Sequence, residues 1–209
     1  MSLEDAPRVR FEVETDLRTA HGVFRTRAYR DLASGDVHVA LVKDGASAVS
    51  EGSGSRVPIV RVHSECLTGE AFGSLQCECG PQLDAALAAV HADGGAVVYL
   101  RGQEGRGIGL LDKLRAYRLQ EAGLDTLDAN TALGLPVDAR EYGAAAAILA
   151  DLGYEAIRLL TNNPDKIAQL VAHGVDVRER VPLVVGVGAA NEEYLATKRE
   201  RMGHLIVPS

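Results

Sequence analysis

The chain has no tryptophan, only two methionines, and three phenylalanines and six tyrosines in 209 residues. So few aromatic rings leave few platforms on which the bases of a single-stranded nucleic acid could stack. Positive charge is also in deficit: 22 Lys and Arg stand against 29 Asp and Glu, a formal net charge of −7. Broad nucleic-acid binding needs a basic surface, so nucleic acid is not an expected partner. A small anion is not excluded, because a local group of arginines and lysines can overrule the global sign. No apolar run approaches the ~20 residues of a membrane span, so no membrane partner is expected. Residues 1–10 are charged and lack a signal-peptide core, which makes the cytoplasm the expected compartment. Cysteines number three, an odd count and too few for a disulfide framework.

Hydrophobic residues make up 46% and charged residues 24%, a globular composition that argues against whole-chain disorder. The length suffices to bury a core without covalent staples. Residues 9–13 alternate apolar and polar as a half-buried strand does, and 23–28 and 37–42 read alike, with Ser34-Gly35-Asp36 as a turn. Residues 50–55 are a polar, glycine-rich loop, and 58–62 resume a strand. The period then changes. Leu83, Ala86, Leu87 and Val90 recur at helical spacing before Gly94-Gly95. Helices are expected over 110–122, 140–152, 165–173 and, amphipathic, 191–202. Strands are expected over 96–100, 156–160 and most of 175–187, where Pro182 implies a bulge or an edge. The expected fold is α+β, mixed α/β. An antiparallel β portion (about 8–62) precedes alternating strands and helices (about 63–205) within one domain.

All three cysteines fall within fourteen residues, as Cys66-x10-Cys77-x-Cys79. Thiolates are soft ligands that suit Zn²⁺, and three of them leave a fourth position for water, as in catalytic zinc sites. A closed structural site would need a fourth ligand, for which His63 is the nearest candidate. The plain alternative is three reduced core cysteines. His63-Ser64-Glu65 fits half of a nucleobase-deaminase signature, but Cys77-Glu78-Cys79 lacks the proline and the two-residue spacing of the other half. Glu65 remains a carboxylate beside a metal candidate, able to handle protons.

Residues 101–109 hold four glycines and two arginines ahead of a helix, a setting in which backbone and helix terminus favour an anion. The segment is neither a P-loop nor a dinucleotide fingerprint. Alone it is equally a solvated surface loop. Asp138-Ala-Arg140 reads alone as an N-cap acid with a surface pair. Residues 161–166 read alone as a helix start, and Tyr117, spaced with Leu110 and Leu114, as a core aromatic.

Together these segments resemble GTP cyclohydrolase II. The stretches that carry the likeness are Arg61-Val-His-Ser-Glu-Cys-Leu-Thr-Gly69, Ser74-Leu-Gln-Cys-Glu-Cys-Gly80, Gln103-Glu-Gly-Arg-Gly-Ile-Gly-Leu-Leu111, Arg115-Ala-Tyr117, Asp138-Ala-Arg140, Leu159-Leu-Thr-Asn-Asn-Pro164 and Glu179-Arg-Val-Pro182. It runs from about Arg61 to the Met202-Gly-His-Leu205 end. The resemblance implies hydrolysis of GTP to formate, pyrophosphate and a diaminopyrimidinone ribosyl phosphate, the first step of riboflavin biosynthesis. It implies Cys66, Cys77 and Cys79 as zinc ligands, and Mg²⁺ on the substrate triphosphate. It implies Arg61, Val62, His63, Ser64, Glu65, Gln82, Glu104, Gly105, Arg106, Thr126, Thr161 and Lys166 as GTP-binding positions. Asp138 would accept a proton, Arg140 would act as a nucleophile toward the α-phosphate, and Tyr117 would serve ring opening. Arginine has no free lone pair when protonated, so Arg140 as a stabiliser of charge on phosphorus is the plainer alternative. Glu104 is expected to accept hydrogen bonds from the guanine N1 and 2-amino groups. Gln76 and Glu141 depart from the family's usual arginine and aspartate. A homodimer is implied, and at 209 residues a single-function chain is expected. Two other readings stay open: a relative that stops at the formamidopyrimidine nucleotide, and a non-catalytic zinc protein that binds guanine nucleotide.

Overall fold

A computed structural model describes residues 7–45 and 57–206; the polar loop expected at 50–55 lies outside them. Seven strands form one sheet in the order β1-β2-β3-β5-β4-β6-β7. The strands are β1 (Val9–Thr19), β2 (Gly22–Asp31), β3 (Val37–Lys43), β4 (Ile59–Ser64), β5 (Gly95–Leu100), β6 (Ala156–Leu160) and β7 (Asp176–Val181). Pairing is antiparallel from β1 through β3 to β5, and parallel from β5 through β4 and β6 to β7. The mixed sheet agrees with the expected fold class.

β4 and β5 are almost wholly buried, and they read as near-continuous apolar runs because helices cover both faces of the sheet there. Side-chain alternation along β4 divides its residues between two cores. Val60 and Val62 join Ile148, Leu149 and Leu170 under α6 (Gly143–Asp151) and α7 (Pro164–Ala172). Ile59 joins Ala86 and Val90 of α2 (Cys79–Asp93) on the other face. The same alternation turns Arg61 and His63 toward the α2 side. The other helices are α1 (Leu67–Glu70), α3 (Glu104–Gly107), α4 (Leu110–Glu121), α5 (Thr126–Ala132) and α8 (Glu192–Met202). Among the described residues no helix is long and apolar enough to cross a membrane.

Several expectations change. β1 is not half-buried. It lies at the sheet edge, and past Val9 it leaves Phe11, Val13 and Leu17 exposed. α6 begins at Gly143 rather than at 140, because the Glu141 carboxylate accepts from the Gly143 amide and Arg140 turns back to Asp138. Asp138 is therefore a loop residue and caps nothing. α5 was not anticipated; Asp125 caps it by accepting from the Leu127 and Asp128 amides at 2.8 and 2.9 Å. β7 stops at Val181, before Pro182, which has no N–H to continue a ladder. The irregularity of that strand pair sits instead at Ile157/Arg158.

Candidate active site and metal centre

The cleft opens beyond the carboxyl ends of the parallel strands β4, β5 and β6, where loops leaving neighbouring strands diverge. It has two lobes, and Ser64, Cys79, Arg140 and Lys198 line both.

Cys66 follows β4, and Cys77 and Cys79 frame the start of α2. Their sulfurs lie within 4.8 Å of one another, with Cys66 and Cys77 3.8 Å apart. The backbone makes room for them at Gly69. A Cβ there would sit 2.6 Å from the Cys77 sulfur and 3.3 Å from that of Cys66. Sulfur contacts with Cys77 and Cys79 hold Cys66 far below the ordinary thiol range, and contact with Cys66 raises the other two. Three convergent soft donors, all lining the cleft, fit a tetrahedral metal with one position open to a ligand. His63 is not a fourth ligand. Its Nε2 meets the Glu70 carboxylate at 2.8 Å, its Nδ1 accepts from Arg61 Nε at 3.4 Å, and its ring stacks on Tyr99. Burial lowers its pKa to about 4.

The second lobe is rich in buried cations. Arg61 is fixed by donating to Gln82 Oε1 at 2.8 Å and to the Leu160 carbonyl at 3.0 Å. Lys166 donates to the Val62 carbonyl at 2.5 Å. Burial, with Arg61 and Arg140 nearby, lowers its pKa well below the ordinary range, so added negative charge is favoured there. Val62 itself points into the core and offers only that carbonyl. Thr161 lines this lobe from the turn that Asn163 caps by accepting from the Asp165 amide.

Arg140 donates through Nε to Asp138 at 2.9 Å and through Nη2 to its other oxygen. Burial opposes the guanidinium charge most strongly, but the Asp138 hydrogen bond and the attraction of Tyr142, Asp138 and Tyr194 together raise Arg140 above its ordinary value. Burial likewise opposes ionised Asp138, and Arg140 holds it below the ordinary carboxylate range.

The first lobe carries the cysteines, Tyr117, Thr126 and the turn Glu104–Gly107. Gly105 and Arg106 both take left-handed conformations there, with φ of 62° and 64°. Arg106 is the one non-glycine residue with positive φ among the described residues, and its buried Nη2 has no partner among them. Such strain with an unsatisfied donor marks a place where a ligand completes the site. Tyr117 is half-buried against this lobe rather than a core aromatic, and burial raises its pKa. Ser64 donates to Gln103 Oε1 at 2.6 Å, and Glu65 accepts from the Gly102 amide at 2.8 Å, so both brace the loop after β5. Glu104 lines the first lobe with its carboxylate engaged by the protein. Its carboxylate accepts from the Leu67 amide and from Lys113, each at 2.6 Å.

Two lysines of the cleft escaped sequence reasoning. Lys113 is 8% and Lys198 9% exposed, where lysines on helices are ordinarily solvated. The signal that would have found them is a spacing: Lys113 and Tyr117 on α4, and Tyr194 and Lys198 on α8, are each i,i+4 pairs, and each lysine meets its tyrosine ring, at 5.6 and 4.4 Å. All four line the first lobe.

A family profile described as GTP cyclohydrolase II matches residues 10–182. The riboflavin biosynthesis protein RibBA of Mycolicibacterium gilvum is 57% identical over 195 residues, and that of Rhodococcus erythropolis 55% identical over 195 residues. Each alignment covers 93% of this chain and 46% of the relative, so the chain spans about half the length of these curated relatives. A solved two-domain 3,4-dihydroxy-2-butanone 4-phosphate synthase from A. baumannii, 22% identical over 75% of this chain and 35% of its own, reaches a TM-score of 0.41, too distant to add to the architecture above.

Proposed function

This chain belongs to the GTP cyclohydrolase II family, and from that premise we propose that its cleft hydrolyses GTP to formate, pyrophosphate and a diaminopyrimidinone ribosyl phosphate, the first step of riboflavin biosynthesis. One observation carries the reading. A pocket of three convergent thiolates and a pocket of buried cations share Cys79 and Arg140 as a common wall. A nucleotide with its base in the first and its phosphates in the second spans both. The whole chain then acts as one domain.

Zn²⁺ held by Cys66, Cys77 and Cys79 would lower the pKa of water at its open position, which supplies hydrolytic power at neutral pH. The chain's own residues do the rest. Arg61 and Lys166, with Mg²⁺ carried on the substrate, neutralise the triphosphate. Thr161, at the β6 terminus, faces the same phosphates. Arg106, whose Nη2 has no partner among the described residues, donates to the ligand in the first lobe. Arg140 stays a protonated guanidinium oriented by Asp138, and in that state it stabilises charge on phosphorus rather than attacking it. Tyr117 stays a neutral phenol and donates a hydrogen bond toward the ring being opened. Gln82, His63, Ser64 and Glu65 act by holding Arg61 and the loop after β5. Thr126, at the first turn of α5, closes the base side. Val13 and Leu17, exposed on one face of edge strand β1, support a homodimer, tested by sedimentation velocity.

The test is simultaneous measurement of formate and pyrophosphate from GTP with zinc-loaded protein and Mg²⁺. Equal amounts are expected. Pyrophosphate without formate would identify an enzyme that stops at the formamidopyrimidine nucleotide. Intact GTP after long incubation would leave a nucleotide-binding zinc protein.

A further inference from the structure

We propose that Glu104 and Lys113 are a positioning pair that sets the Cys66 arm of the metal centre from the anion-binding turn, a role distinct from contact with substrate. The three protons of the Lys113 ammonium have three acceptors: Glu104 Oε1 at 2.6 Å, Thr68 Oγ1 at 2.7 Å and the Cys66 sulfur at 3.2 Å. The other Glu104 oxygen accepts from the Leu67 amide at 2.6 Å. Residues 66, 67 and 68 are thus each gripped once by a pair carried on α3 and α4. Both Glu104 oxygens are thus engaged by the protein, Oε1 also accepting from the Gly105 amide at 3.2 Å.

A buried ion pair is a weak source of stability, because desolvation of both charges offsets their attraction. Side chains exposed only 8% and 10% therefore call for another account. The donor set supplies it. Three thiolates bring three negative charges to one point, and an ammonium hydrogen-bonded to one sulfur offsets part of that charge and fixes the sulfur's direction. The inference rests on the reading of the cysteines as the metal site.

The experiment uses the full chain loaded with Co²⁺, whose thiolate-to-metal charge-transfer band reports the electron density on sulfur. Lys113→Met, Lys113→Arg and Glu104→Gln are compared with wild type, and metal affinity is read by chelator competition. Lys113→Met is expected to move the band to lower energy and to weaken metal retention by about 10- to 100-fold, the scale of lost outer-shell support. Lys113→Arg recovers part of both, and Glu104→Gln weakens retention while keeping the preference for GTP over ATP. An unchanged band and affinity in Lys113→Met would overturn the proposal. So would a Glu104→Gln variant that retains metal fully but no longer distinguishes GTP from ATP. Wild type that takes up no cobalt overturns the metal reading and this pair together. Cobalt uptake with the expected shifts but no turnover of GTP would sink the proposed reaction and leave the positioning pair standing.

Discussion

Lys198, buried on α8, donates to Glu78 Oε1 at 2.6 Å, and Glu78 is the residue between Cys77 and Cys79. The last helix of the chain therefore holds the second arm of the cysteine cradle, as Lys113 on α4 holds the first. Burial opposes both charges, yet Lys198 keeps Glu78 below the ordinary carboxylate range. Removing the lysine would leave a buried carboxylate uncompensated, at about 3–5 kcal/mol. Lys198→Met should lower urea stability by that order, and adding Glu78→Gln should recover most of it. Equal stability of Lys198→Met and wild type would show the contact to be dispensable.

Gly69 tests the cradle by volume alone. Its backbone is not left-handed, so alanine is conformationally acceptable, but the new Cβ would lie 2.6 Å from the Cys77 sulfur. Gly69→Ala should keep the fold and lose at least about tenfold in zinc affinity, as expected when a ligand is displaced. Zinc content after dialysis against a chelator measures it. Full retention would mean that the sulfurs have room the structure does not show.

Arg140 separates two mechanisms. As a charge stabiliser it needs its fork and its partner Asp138, and Arg140→Lys should reduce kcat by about 10²–10³, the scale for one transition-state donor. Intact-mass analysis of wild type quenched during turnover should show no nucleotide adduct. A guanylyl group trapped on Arg140 would establish nucleophilic attack instead.

His63 gives a pH dependence of known sign. Its folded pKa is about 4 against 6.5 for the free side chain, chiefly because burial disfavours the imidazolium. Between those values the unfolded chain binds the extra proton, so stability falls as pH drops from 6.5 toward 4. His204, lowered to about 3 by burial and the nearby Lys198, acts in the same direction. His63→Gln should flatten the decline of the urea midpoint across that window, relative to wild type. A parallel decline in both proteins would mean that His63 titrates normally.

Much of the architecture was readable because the core strands and helices carry their own periodicity. Ile59–Ser64, Gly95–Leu100 and Ala156–Leu160 are apolar runs bounded by turn residues, and the α2 spacing of Leu83, Ala86, Leu87 and Val90 needs no partner to be recognised. The misread segments are those where side-chain bonds to near neighbours, or a place at the sheet edge, override the apolar period. Residues 140–142 stay out of α6 because Asp138 and Glu141 take side-chain and amide partners that compete with the helix. The alternation of β1 promised burial, and its place at the sheet edge withheld it.

The site divides along the same line. Three clustered cysteines, the glycine-rich turn and the Asp138–Arg140 pair are local patterns, and the chemistry they offer, soft metal ligation and anion binding, follows from residue type and spacing alone. Which charges are buried and whom they meet is decided by elements far apart in the chain: Lys198 reaches Glu78 across 120 residues, and Lys113 reaches Cys66 across 47. The sequence by itself therefore determined what kind of groups the cleft contains. Only the tertiary structure decided that Glu104 meets the Leu67 amide and Lys113, and that two lysines on helices are buried in the cleft, because burial and hydrogen-bond partnership depend on packing.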